Sequence, residues 1–227
     1  MPIKQVKVKL CGLKTIDDVL LATTLGYDYL GFIINVPKSP RSITLEELIT
    51  IHQTLVNKGL RRSIKLVGVF VDQDLASLNH TIEMGICDVI QLHGNEQPST
   101  CNDLRQKTEI WKSLIKRSDQ SVDDYLQLVK NFQVNVDKVL VDSASAQDKI
   151  NCDKVKNYAE ILKRIDFANS KLVLSGGINL NNIKDMLRLY QPEFIDLSSG
   201  VEEYPGKKDD KKVSEFINII NNYNGKN

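Results

Sequence analysis

Metal-binding and disulfide signatures are missing from this sequence. Four cysteines occur in 227 residues, at 11, 87, 101 and 152, with three histidines at 52, 80 and 93. They form no C-x-x-C and no zinc-ligand spacing, so a structural metal site is not expected. No apolar stretch approaches the roughly 18 residues a membrane-spanning helix needs. The opening MPIKQVKVKL lacks the apolar core of a secretory signal. The expectation is a cytoplasmic protein with reduced thiols and no membrane partner. An excess of charge of one sign is absent as well: 30 Lys and Arg stand against 29 Asp and Glu, a net charge of +1. That balance offers no ground for nucleic acid as a partner. The densest basic stretch, GLRRSIK at 59–65, has no aromatic or glycine pattern beside it and reads as a solvated loop before a strand.

What the chain has in quantity is alternation. Short apolar runs recur at 6–12, 29–34, 64–71, 88–94, 109–115, 137–143, 171–177 and 194–200. Most are nearly continuous and β-branched, as strands of a parallel sheet covered on both faces are. Helical spacing lies between them. TIDDVLLATTLG puts Ile16, Val19, Leu20 and Thr23 on one side. TLEELITIHQTLV puts Leu45, Leu48, Ile49, His52 and Leu55 on one side, behind a Thr44-x-x-Glu47 capping box. His52 then belongs to the packed stripe or its edge. Further helices are expected at 74–84, 97–106, 122–133, 152–165, 179–189 and 210–223.

An open doubly wound sheet and a closed barrel both fit this order. The count of eight favours an α/β fold of the (β/α)8 TIM barrel type, and so does an echo between units. Gly26 with Asp28 and Gly85 with Asp88 each pair a helix-ending glycine with an aspartate opening the next strand. PEFIDLSSG is a looser third echo. No linker divides the chain, so one domain over 1–227 is expected.

In such a barrel the chemistry sits at the C-terminal ends of the strands. Those ends carry Cys11-Gly12, Arg41 within PKSPRS, His93-Gly94, Asp142-Ser143, Ser175-Gly176-Gly177 and Ser198-Ser199-Gly200. The last two are adjacent glycine- and serine-rich turns whose backbone amides suit a phosphate. Cys11 and Asp142 form the candidate acid–base pair across the mouth. By position alone Cys11 is equally a core filler and Asp142 equally a loop cap. Arg41, stiffened by Pro40, suits a carboxylate; a solvated loop cation is the alternative. His93 is a polar mouth residue or a satisfied structural histidine, and Trp111 belongs to the core.

Taken together, KLCG, LGYDYLGFIINVPKSPRSIT, VGVFVDQ, VIQLHGNE, VLVDS, LSGGINLNNI and IDLSSGVEEYPGKKDD resemble, in order, the phosphoribosylanthranilate isomerase family of tryptophan biosynthesis. The resemblance implies a ribulose-phosphate-binding barrel and an Amadori rearrangement of N-(5-phosphoribosyl)anthranilate. It implies Asp142 as general acid and Cys11 as general base, with Arg41 on the anthranilate carboxylate. Gly177, Ser199 and Gly200 are implied for the phosphate, and His93, Gly176 and Asp196 as further substrate-binding positions. No cofactor is implied, since the iminium formed on ring opening is itself the electron sink. The partner is a small phosphoribosyl substrate, and the protein itself a monomer or homodimer. One segment departs from the family. Its glycine-rich loop after the strand-6 aspartate is replaced by DSASAQDKINCDKVKNYAEIL, and no glycine occurs between Gly94 and Gly176. Ser143, Ser145 and Gln147 are the polar residues at hand there. Another phosphosugar isomerase or lyase, or a binding-only relative without a working lid, remains the alternative, and the presence of both Cys11 and Asp142 speaks against the latter.

Overall fold

Alternation makes Lys7–Cys11 a strand with two unlike faces: Val8 and Leu10 on one, Lys9 and Cys11 on the other. The computed structural model describes residues 5–116, 120–143, 161, 164 and 171–225. In it this strand, β1, is followed by β2 (Tyr29–Ile34), β3 (Lys65–Phe70), β4 (Val89–Leu92), β5 (Glu109–Lys116), β6 (Lys138–Ser143), β7 (Lys171–Leu174) and β8 (Phe194–Leu197). Each pairs in parallel with the next. β8 returns to β1 in the register Lys7↔Phe194 to Leu10↔Leu197, so the sheet closes on itself. Closure removes the free edges of a doubly wound sheet and makes the fold a (β/α)8 barrel. Two additions were not expected. Ser42–Ile43 extends beside the end of β2, and a hairpin pairs Glu202–Tyr204 with Lys207–Lys208 after β8.

The helices are α1 (Ile16–Thr24), α2 (Leu45–Asn57), α3 (Leu75–Glu83), α4 (Pro98–Arg105), α5 (Val122–Gln133), α6 (Ile183–Tyr190) and α7 (Asp210–Tyr223). The helix expected at 152–165 lies outside the described residues apart from Ile161 and Arg164, both helical. The capping box of α2 is formed: Thr44 Oγ1 accepts from the Glu47 amide at 3.1 Å, and Glu47 accepts from the Thr44 amide at 2.7 Å. Two expected faces are rotated. α1 buries Asp18, Val19 and Ala22, leaving Ile16, Leu20 and Thr23 half-buried at its edges. α2 buries Ile51 with Leu48 and Leu55, which moves Ile49 and His52 to the flank. A helix lying on a curved sheet buries a stripe narrower than its apolar residues span.

The echo between units has a physical basis. Asp28 accepts from the Val8 amide, Asp88 from the Leu66 amide and Asp137 from the Ile110 amide, each at 2.8 Å. Each aspartate precedes an even-numbered strand and ties it to the strand before. Gly26 and Gly85 end the preceding helices at φ +81° and +64°. The third echo is therefore Asp137, not the FIDL segment, whose Asp196 points into the barrel. GLRRSIK is also not simply solvated: Arg61 bonds Asp88 at 2.9 Å and holds that tie in place, as Arg105 does for Asp137 at 2.9 Å.

Inside the barrel, Tyr29, Trp111 and Phe194 close the N-terminal end, with centroids 5.0 Å apart for Tyr29–Trp111 and 6.2 Å for Trp111–Phe194. The Lys138 ammonium lies 4.9 Å from both the Trp111 and Phe194 rings. Val67, Val69, Val89, Leu140 and Val173 pack with these rings. Above this apolar layer the lumen turns polar.

Candidate active site

Strand periodicity delivers the polar layer. Because Cys11 shares a face with Lys9, and Asp142 with Leu140, all four point inward. Cys11 ends β1 almost fully buried. Asp142, one residue before the end of β6, is half-buried and opens to the mouth. Between them stands Asp196 of β8. Its Oδ1 accepts from Lys9 Nζ at 2.8 Å, and its Oδ2 from Ser175 Oγ at 3.5 Å.

These surroundings set the protonation of each group. Burial pushes the Asp142 carboxyl up to about 7; the negative charge of Asp196 adds to this, while Ser175 and Lys9 oppose it. Burial also pushes the Cys11 thiol above its ordinary value, with Asp196 adding to the rise and Lys9 and Lys208 pulling it back. Burial holds His93 below the usual histidine value and hence neutral. Its Nδ1 lies 3.3 Å from Gln91 Nε2 and its Nε2 3.5 Å from Ser113 Oγ. With Asp72, Glu96 and Phe132 it lines a groove of about 630 Å³.

A second cluster forms the rim. Arg41 is not a solvated loop cation, the alternative left open by the sequence. Its Nε and Nη2 donate to the two oxygens of Glu202 at 2.8 and 2.6 Å. Glu202 also accepts from Lys208 Nζ at 3.0 Å, and Lys208 in turn donates to the Cys11 carbonyl at 2.7 Å. The Arg41 side chain runs so close to Gly12 (φ +75°) that a Cβ there would lie 2.7 Å from its Cδ. Two of the five guanidinium donors serve Glu202, and the others remain for a ligand.

The turns after β7 and β8 meet. Gly176 and Gly177 both take left-handed φ, +87° and +65°. Gly200 packs against the Ile178 carbonyl so tightly that a Cβ would stand 1.8 Å from the oxygen. Ser199 opens a three-residue 3₁₀ turn, Ser199–Val201. Gly176-Gly177 does not open directly onto a helix, as its sequence suggests. Asn179 and Asn182 cap the Gly177 carbonyl at 2.9 and 3.0 Å, and α6 begins only at Ile183. The anion-binding feature is thus a pair of abutting turns, with bare backbone where side chains would intrude.

The tertiary structure therefore gathers Cys11, Asp142, Asp196 and His93 in the mouth, Arg41 at its rim, and Gly176, Gly177, Ser199 and Gly200 at one side. The loop carrying Ser145 and Gln147 lies outside the described residues. Sequence reasoning missed Lys9, Glu202 and Lys208, and it placed Ser175 in the turn after β7 without its bond to Asp196. Lys9 was legible, since it alternates in phase with Cys11. Glu202 and Lys208 were not, because they are joined through the unforeseen hairpin.

A family model described as N-(5'phosphoribosyl)anthranilate (PRA) isomerase matches residues 8–219. An N-(5'-phosphoribosyl)anthranilate isomerase of Pelobacter propionicus is 34% identical over 214 residues, 94% of this chain and 95% of the relative. The solved phosphoribosyl anthranilate isomerase of Thermotoga maritima superimposes with a TM-score of 0.78 at 28% identity, covering 97% of this chain and all of the other. Another such isomerase, solved in complex with reduced 1-(o-carboxyphenylamino)-1-deoxyribulose 5-phosphate, gives a TM-score of 0.76 at 27% identity over 97% of this chain.

Proposed function

The chain belongs to the N-(5'-phosphoribosyl)anthranilate isomerase family, and from that membership we propose how its own residues divide the reaction. The protein is an isomerase of tryptophan biosynthesis, acting on a small phosphoribosyl substrate. It converts N-(5-phosphoribosyl)anthranilate to 1-(2-carboxyphenylamino)-1-deoxyribulose 5-phosphate. Asp142 is the general acid: it gives its proton to the ribose ring oxygen as the C1–O bond breaks, leaving an iminium. Cys11 is the general base: its thiolate takes the proton from carbon 2, and the electrons move into the iminium to give the enamine. Ketonisation then yields the product.

The observation that carries this reading is the raised Asp142 carboxyl, at about 7, in one lumen with the Cys11 thiol. A carboxyl that holds its proton near neutrality can serve as acid, and a thiolate can take a proton made acidic by an adjacent iminium. Arg41 takes the anthranilate carboxylate with the donors that Glu202 leaves, while Gly176, Gly177, Ser199 and Gly200 take the phosphate. His93 and Asp196 face the sugar between them. Charges at both ends of the substrate fix it across the mouth, which holds the reacting carbon against Cys11. The enzyme is a single domain over 1–227, a monomer or homodimer, and works in the cytoplasm without a cofactor. Among the described residues no helix is long and apolar enough to cross a membrane.

The test follows the loss of freshly made phosphoribosylanthranilate fluorescence. Wild type turns it over. Cys11→Ala and Asp142→Asn each lose about a hundredfold or more in kcat while keeping the native circular dichroism. Full activity in either folded variant would remove that residue from the mechanism.

A further inference from the structure

Lys9 is the one charged side chain on β1 that faces the lumen beside Cys11, and it is only 1% exposed. Its ammonium is held by Asp196 from across the β1–β8 pairing, 2.8 Å away. The absence of a side chain at Gly31 brings it to the sulfur. A Cβ on Gly31 would lie 2.9 Å from Lys9 Nζ and 2.9 Å from Cys11 Sγ, so both atoms border the same small space. Resting on the assignment of Cys11 as base, we propose that Lys9 is a positioning residue: its ammonium, anchored by Asp196, stabilises the Cys11 thiolate against its burial when that sulfur accepts the sugar proton.

The other charged and titratable groups around Cys11 do not fill this role. Arg41, from the loop after β2, is engaged by Glu202 through two hydrogen bonds. Lys208, from the hairpin, donates to the Cys11 and Ser198 carbonyls and to Glu202. Asp196 on β8 and Asp142 on β6 both carry charge of the wrong sign when ionised. His93, at the end of β4, is held neutral. Lys208 pulls on the thiol from the backbone side, whereas among the described residues Lys9 is the cation whose ammonium borders the sulfur itself. Burial opposes its charge, but the Asp196 carboxylate and the Cys11 sulfur hold the ammonium above the ordinary lysine value. No proton passes through Lys9: it keeps its own, and the carbon-2 proton goes to Sγ.

Iodoacetamide labelling of Cys11, read peptide by peptide by mass spectrometry against pH, tests this on the full chain. The variants are Lys9→Met and the double variant Lys9→Met/Asp196→Asn, which leaves no buried charge without its partner. The labelling midpoint of Cys11 is expected to rise by about one unit or more in Lys9→Met, and by a smaller margin in the double variant, where the opposing charge of Asp196 is lost as well. In Lys9→Ala, ethylamine is expected to lower the midpoint again and restore part of kcat. An unchanged Cys11 midpoint in a folded variant would overturn the proposal, and so would failure of both Met variants to fold, which would make the pair structural. Labelling reads the thiol without turnover, so it separates the two readings. Activity surviving in Cys11→Ala would remove the base but leave the labelling shift standing. An inactive Cys11→Ala with no labelling shift would remove only the part of Lys9.

Discussion

At the scale of single residues, the chemistry depends on where one proton sits. Asp142 titrates at about 7 and Cys11 above its ordinary value, and both share a lumen with Asp196. Each is shifted by Asp196, and the protons on the two sites count together. In the proposed mechanism the productive form has the proton on Asp142 and none on Cys11. It carries the same number of protons as the commoner form, thiol with carboxylate, and rises and falls with it. The sign follows from this. Below pH 7 the pair holds two protons and no thiolate exists. Above the Cys11 titration it holds none and no acid exists. The expected profile of kcat/KM climbs as pH rises through about 7 and falls only on the alkaline side of the thiol titration. In Asp142→Asn the acid limb of any residual rate should move up toward the thiol value. A pH–rate series on freshly prepared substrate checks both limbs. An unmoved acid limb in Asp142→Asn would detach that limb from Asp142.

At the scale of elements, the site depends on places where the chain omits a side chain. Gly12 gives way to Arg41, Gly31 to Lys9 and Cys11, and Gly200 to the carbonyl of Ile178. The last contact locks the turn after β7 to the turn after β8. Gly200→Ala must part them, since backbone cannot yield 1.8 Å of approach to a methyl. The expected result is a KM raised about tenfold or more, the equivalent of about 1.4 kcal/mol, with weaker inhibition by inorganic phosphate. Steady-state kinetics with phosphate as competitor measures both, and a KM equal to wild type would deny these turns the phosphate.

At the scale of the whole molecule, the barrel keeps its two ends separate. Tyr29, Trp111 and Phe194 fill the N-terminal end, and Cys11, Asp142 and His93 occupy the other. Trp111→Ala removes the largest side chain of that plug and should cost about 3–5 kcal/mol of stability. The surviving folded enzyme should keep a KM near wild type, because the substrate face is built from other strand ends. Denaturant titration alongside kinetics checks the separation; a large KM change would mean that the plug positions the mouth.

Much of this was legible in sequence because it is local. Nearly continuous apolar runs placed β1 to β8 to within one or two residues, apart from longer margins on the last two, and helix caps such as Thr44 and Glu47 announced themselves. The count of eight such runs put Cys11 at a strand end on the barrel mouth, and the family motifs marked Asp142, Arg41 and the glycine turns. The faces of α1 and α2 were read a few residues off, because the stripe a helix buries depends on the curvature of the sheet beneath it. The tertiary structure alone decided what touches what over long chain distances. Lys9 meets Asp196 across 187 residues, and Arg41 meets Glu202 across 161. No local signal encodes such pairs. They exist because closing eight strands into a barrel turns alternate residues of every strand toward one lumen, where charge and burial then set which groups hold protons.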